Sequence, residues 1–152
     1  MTTGILFVCS GNTCRSPMAV GVMRSLAHRA GLTHVFEVDS AGTGVRQAGQ
    51  PPNRHALEAA ARRGHDIAGI RSRPLTASDI ARFSHPLAME RKHLAAMHAL
   101  APVGLADRPR LFAGDDIADP FGGTVQDYER ALDLIEAGCA RLFDELRQAG
   151  SK

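Results

Sequence analysis

The sequence predicts a single α/β domain built on a parallel sheet. Three observations predict it. The chain has 152 residues, the length of one ordinary domain. Short apolar runs alternate with stretches of helical periodicity, the pattern of strands interleaved with helices. Two polar loops follow strand candidates, at the sheet edge where such folds hold their ligands. The composition, 44% apolar and 22% charged, is that of a soluble globular protein. A chain this long buries roughly two-thirds of its unfolded surface and needs no disulfide staples.

Each element has its own local signal. Ile5 to Val8 is a continuous apolar run, the mark of a buried parallel strand. Residues 9–16 are small and polar and read as a loop, and Pro17 suits the first turn of a helix. Met18, Val22 and Leu26 give that helix an apolar face up to Gly31. A second strand is expected over Val35–Val38, followed by a Gly- and Pro-rich loop over 40–53. Asn53 caps a helix expected from Arg54 to Arg63, which ends at Gly64. A short helical turn opens at Ser78, a strand is expected over Pro86–Met89, and a helix over His93–Leu100. Arg110–Ala113 is a further strand candidate and 114–123 a further loop. Val125, Tyr128, Leu132, Ile135, Cys139, Leu142 and Leu146 recur every three or four residues, the stripe of a long final helix. No repeat or linker interrupts this order, so one domain is expected over 1–152.

Charge and composition exclude several functions. Eighteen Lys and Arg against sixteen Asp and Glu give a net charge of +2, with no block of like charges. With no Trp and a single Tyr, the chain lacks stacking platforms for bases, so no nucleic-acid partner is expected. No apolar run approaches the roughly 18 residues of a membrane span, and no membrane partner is expected. The N-terminus lacks the basic start of a secretory signal, and three cysteines are too few for a disulfide scaffold. The expected compartment is the cytoplasm.

The chemistry concentrates in Cys9-Ser10-Gly11-Asn12-Thr13-Cys14-Arg15-Ser16-Pro17. A turn from strand end to helix start converges backbone N–H groups into an anion-binding nest, and the helix N-terminus adds positive potential. Gly11 and Asn12 tolerate the left-handed backbone angles of a closed cradle. Cys9 stands at its mouth, where amides that bind an oxyanion also favour a thiolate. Arg15 offers a planar fork for two phosphate oxygens. A nucleotide-binding Walker loop is excluded because its Gly-Lys-Ser/Thr ending is missing. Cys9 and Cys14 have no second close Cys/His pair, so no metal site is expected.

At these residues the sequence resembles the low-molecular-weight protein tyrosine phosphatases, which carry a Cys-x5-Arg-Ser loop at the extreme N-terminus. The resemblance extends to Asp39-Ser40-Ala41-Gly42-Thr43 and to Asp119-Pro120-Phe121. It implies a four-stranded parallel sheet with helices on both faces. It implies Cys9 as nucleophile, Arg15 as phosphate clamp and Asp119 as general acid, with no cofactor and no metal. Residues 10–16 (Ser10, Gly11, Asn12, Thr13, Cys14, Arg15 and Ser16) bind the phosphate by the same resemblance. Asn12, Ser16 and Ser40 support the loop, and Ser16 helps the Cys9 sulfur leave. Cys14 is a redox partner of Cys9, as in relatives that carry this second Cys. Only Asp119 among the nearby acids (Asp107, Asp115, Asp116 and Asp127) has the family's Pro-Phe context.

Departures from the pattern fall around this core. Arg46 stands where many members have a Trp on the cleft rim, which leaves Phe121 as the aromatic rim residue while Gly122 replaces a second aromatic. Ile70 replaces a His that supports Ser40, Ser84 replaces a common Asp, and Asn53-Arg54-His55 replaces a frequent Asp-Pro-Arg. The seven histidines form no ligand pattern and are expected to be solvated or locally bonded. Met89 and Met97 are expected in the core.

The activity these residues imply is hydrolysis of phosphotyrosine in proteins through a phosphocysteine intermediate, releasing inorganic phosphate. A protein-arginine phosphatase is the alternative, because some arginine-directed relatives carry a Thr at the place of Thr13 and the run Asp119-Pro120-Phe121-Gly122-Gly123. A thiol-dependent arsenate reductase would need cysteines in the 80–90 region, and there are none. An inactive phosphate-binding module is disfavoured by Cys9, Arg15 and Asp119 together.

Overall fold

Ile5, Leu6, Phe7 and Val8 are all fully buried, as a strand covered on both faces requires. They form the centre of β1 (Thr3–Cys9) in a computed structural model that describes residues 2–150. Residues 1, 151 and 152, the ends of the expected domain, lie outside the described residues. The chain continues through α1 (Arg15–Arg29), β2 (Phe36–Gly42), α2 (Arg54–Arg62) and α3 (Ala77–Arg82). It ends with β3 (His85–Ala88), α4 (Arg91–Leu100), β4 (Arg110–Leu111) and α5 (Val125–Gly150). The four strands form one parallel sheet in the order β2-β1-β3-β4. The chain passes from β1 to a neighbour on one side, then to β3 on the other. That reversal opens a crevice at the C-terminal end of β1.

Alternation along β1 sorts the core into two layers. Ile5, Phe7 and Cys9 face one layer with Met18, Val22 and Met23 of α1 and Leu132, Ile135 and Cys139 of α5. Leu6 and Val8 face the other, with Ile80 of α3 and Met97 of α4. Phe7 meets Phe112 edge to face at 5.3 Å between ring centroids. The α5 stripe packs onto α1, where the Cys139 thiol donates to the Ala19 carbonyl at 3.8 Å. Met89 and Met97 are fully buried. No helix among the described residues is long and apolar enough to cross a membrane.

The structure corrects several boundaries. Strand β2 runs on through Ser40, Ala41 and Gly42 instead of stopping at Val38. These residues look like loop in isolation, but they pair with Phe7, Val8 and Cys9, and Ser40 and Ala41 are buried. Helix α1 begins at Arg15, before Pro17, because Arg15 and Ser16 wind into its first turn. Pro17 still costs no hydrogen bond there, since first-turn N–H groups have no intrahelical acceptor. The turn expected at Ser78 is α3, entered from Thr76, whose N–H and hydroxyl both donate to Asp79 Oδ2 at 2.9 and 3.1 Å. Asn53 caps α2 as expected, accepting from the His55 N–H at 2.8 Å. The strands expected over 86–89 and 110–113 are His85–Ala88 and Arg110–Leu111, and the helix expected from His93 begins at Arg91.

Candidate active site

The loop from Cys9 to Arg15 starts at the crevice and closes into α1. Its turn is made at Asn12, whose φ of 57° is the only positive value on a non-glycine among the described residues. The left-handed angle expected at Gly11 and Asn12 therefore falls on Asn12 alone. Such a conformation costs free energy, and the Asn12 side chain offsets it. Its Nδ2 donates to Ser16 Oγ and Ser40 Oγ, both at 2.9 Å, and its Oδ1 accepts the Arg73 N–H at 2.9 Å. Asn12, Ser16 and Ser40 are all buried, so these bonds form away from water, where an unmade one is costly.

The last strand residue of β2 fixes the same loop from outside. A Cβ on Gly42 would sit 2.4 Å from the Ser10 carbonyl oxygen and 3.1 Å from Asn12 Cβ. Only glycine lets β2 approach this closely. The Thr43 and Gly44 N–H groups then donate to the Cys9 and Ser10 carbonyls, each at 2.9 Å.

Cys9 Sγ lies 2.9 Å from Ser16 Oγ. Because the Ser16 oxygen accepts from Asn12, its proton is free to point at the sulfur. The neighbouring Cys14 thiol is buried, 3.6 Å from the Tyr128 hydroxyl and 3.9 Å from Thr13 Oγ1. Burial pushes its pKa up, which keeps Cys14 a neutral thiol.

Arg15 is 1% exposed. Its Nη1 donates to Glu90 Oε2 at 2.6 Å and to the Ile117 carbonyl at 2.7 Å. Its Nη2 is 3.5 Å from Asp119 Oδ2. Its Nε is buried with no protein partner among the described residues. One edge of the guanidinium is thus held by protein, and the other carries donors that a bound oxyanion would satisfy. The loop that bears Asp119 is fastened to the end of β3 by the Ile117 N–H donating to the Met89 carbonyl at 3.0 Å. Of the other acids, Asp115 and Asp116 pair with Arg91, and Asp127 accepts from the Thr124 N–H at the start of α5.

Cys9, Ser10, Gly11, Thr13, Cys14 and Arg15 line a cleft of about 480 Å³ with Gly44, Arg46, Gln47, Gln50, Asp119 and Phe121. The expected rim residues Arg46 and Phe121 are both exposed on its margin. The rim loop is tied down by Ser72: its Oγ accepts the Gln50 N–H and donates to the Gln47 carbonyl, both at 3.0 Å. The Ser72 carbonyl accepts from Gly49 and its N–H donates to Gln50.

Sequence reasoning missed Glu90, His93, Arg73, Gln47 and Gln50. Glu90 had one usable signal, its place just past a strand at the sheet's ligand-binding edge. The expectation that all seven histidines are solvated or locally bonded is corrected at two. His93 is buried and its Nε2 is 2.8 Å from Ser10 Oγ, 83 positions away. His65 is buried between Ser25 and Glu136. Both sites are assembled by tertiary packing, which local sequence does not encode. Ile70 is buried in the core, and the Ser40 hydroxyl is instead held by Asn12.

A family model described as low molecular weight phosphotyrosine protein phosphatase matches residues 4–152. A low molecular weight protein-tyrosine-phosphatase of Streptomyces coelicolor is 35% identical over 158 residues, covering 97% of this chain and 96% of its own. A protein-arginine-phosphatase of Bacillus subtilis is 33% identical over 152 residues, covering 95% of this chain and 97% of its own. The crystal structure of a protein tyrosine phosphatase from Entamoeba histolytica, with Hepes in its active site, superposes with a TM-score of 0.92. It is 28% identical and covers 98% of this chain and 99% of that one.

Proposed function

Because this chain belongs to the low molecular weight phosphotyrosine protein phosphatase family, we propose that it hydrolyses phosphotyrosine in proteins through a phosphocysteine intermediate. The observation that carries this reading is the Nε of Arg15. A buried guanidinium whose Nε has no protein partner among the described residues, in the loop that begins with buried Cys9, is suited to hold an oxyanion.

In the first step Cys9, entering as the thiolate, attacks phosphorus in line through its sulfur, and the bond from phosphorus to the tyrosine oxygen breaks. Loop amides and Arg15 hold the three equatorial oxygens while charge redistributes among them. The bound phosphoryl group engages Arg15 Nη2, which lies 3.5 Å from Asp119 Oδ2. Asp119, in its acid form, gives its proton to the departing oxygen, which would otherwise leave as the base of an acid of pKa about 10. In the second step Asp119 takes a proton from water as that water attacks phosphorus. The sulfur–phosphorus bond breaks, Cys9 leaves as thiolate with the Ser16 hydroxyl donating to it, and inorganic phosphate is released.

The reading treats 1–152 as one catalytic unit. Three buried free thiols suit a reducing compartment, and the cytoplasm is its proposed place. Cys14 is proposed as the partner that captures an oxidised Cys9.

One residue favours a second reading, phosphoarginine as substrate. Thr13 lines the cleft, half-buried, with its hydroxyl near the Cys14 sulfur, and the Bacillus subtilis relative is an arginine phosphatase. Turnover of a phosphotyrosine and a phosphoarginine peptide, side by side and without added metal, tests the choice. Faster tyrosine turnover is expected, and arginine turnover far above it overturns the first reading.

A further inference from the structure

His93 is buried, and both its ring nitrogens are satisfied. The Glu90 backbone N–H donates to Nδ1 at 3.1 Å. A nitrogen that accepts carries no proton, so the proton of the neutral ring sits on Nε2. Nε2 lies 2.8 Å from Ser10 Oγ and must be the donor, with the Ser10 oxygen accepting. Burial, with the Arg15 guanidinium nearby, pushes the His93 pKa down to about 4, so this neutral tautomer holds at ordinary pH.

The direction of that bond has a consequence for Ser10. A hydroxyl has one proton to give. Among the described residues, no protein acceptor takes the proton of Ser10, and Ser10 lines the cleft beside Cys9 and Arg15. We propose that His93 is a positioning residue that orients the Ser10 hydroxyl as a donor to the oxyanion bound in the loop. Ser10 then adds a side-chain donor to a cradle otherwise made of backbone amides and Arg15. The same short segment supplies both supports: Glu90 holds Arg15 through its carboxylate, and His93 holds Ser10. A purely structural His93 would need only the Nδ1 bond that closes the first turn of α4. The Nε2 bond reaches past that turn into the loop.

The inference rests on the proposed phosphatase reading, and two side-chain replacements separate its parts. In His93→Asn the amide oxygen can take the Glu90 N–H, but the side chain is too short to reach Ser10. In His93→Gln the amide nitrogen can reach Ser10. Hydrolysis of p-nitrophenyl phosphate and competitive inhibition by inorganic phosphate are measured for the wild type, Ser10→Ala, His93→Asn, His93→Gln and the Ser10→Ala/His93→Asn double variant. Thermal melting is measured for each as a check on folding.

Ser10→Ala is expected to lower kcat/KM and weaken phosphate inhibition by about tenfold, the scale of one hydrogen bond to a charged group. His93→Asn should match it, the double variant should lose little more, and His93→Gln should recover most of the loss. Wild-type levels in Ser10→Ala or His93→Asn, or losses that multiply in the double variant, overturn the proposal. A wild type that does not hydrolyse p-nitrophenyl phosphate, or activity that survives Cys9→Ser, overturns the phosphatase reading instead.

Discussion

Ser16 Oγ stands 2.9 Å from Cys9 Sγ while accepting from the Asn12 amide, also at 2.9 Å. The relationship makes Ser16 a donor to sulfur, and it separates what the sulfur does from what the loop does. Cys9→Ser should abolish turnover, because an alcohol is a far weaker nucleophile than a thiolate. Phosphate binding should persist, because amides and Arg15 make the cradle. Kinetics with p-nitrophenyl phosphate and calorimetry with inorganic phosphate check both halves.

Asp119→Ala should lower turnover about 10²–10⁴-fold for a phenolic leaving group. The loss should shrink as the leaving group becomes a stronger acid and needs its proton less. A series of aryl phosphates reads this directly, and an equal loss across the series removes Asp119 from the acid role.

Thr13→Ile tests selection between substrates. If the Thr13 hydroxyl serves a reacting guanidino group, the variant keeps its phosphotyrosine turnover and loses phosphoarginine turnover. Parallel changes in both rates would assign Thr13 to packing alone.

Gly42→Ala should damage both stability and activity. Its methyl group would press against the Ser10 carbonyl, a backbone atom that cannot swing aside. Overpacking of this kind costs about 1–3 kcal/mol, read as a lower denaturation midpoint. Gly44→Ala, where a Cβ meets nothing within 4 Å, is the control and should leave the midpoint nearly unchanged.

Peroxide should inactivate the protein reversibly. Oxidation of Cys9 to a sulfenic acid, attack by the Cys14 sulfur and loss of water would give a Cys9–Cys14 disulfide. A thiol reductant should restore activity in the wild type and not in Cys14→Ala. Peptide mapping of the oxidised protein should find the crosslink.

The parts of the molecule that were legible in sequence are those whose signal is local. The run Ile5–Val8 shows a buried strand, the stripe from Val125 to Leu146 shows a helix, and Asn53 announces its own cap. The Cys9–Ser16 loop is legible because its small residues, its Cys and its Arg are contiguous. Ser40 to Gly42 were not, since Ser, Ala and Gly carry no strand propensity, and only pairing with β1 buries them. His93 and Glu90 were not legible either. They reach the loop because β3 lies against β1, with Val8 opposite Ala88, and no short window of sequence contains that neighbour relation.

The Ser72 ties on the rim loop bear on the thermodynamics of ligand entry. A segment already hydrogen-bonded along both its N–H and C=O groups has little conformational entropy left to lose when a substrate arrives. Binding should therefore proceed as a rigid-body encounter, with a small heat-capacity change that reflects only the surface covered. Amide hydrogens of Gly49 and Gln50 should exchange slowly in the free protein, and an added oxyanion should slow them little further.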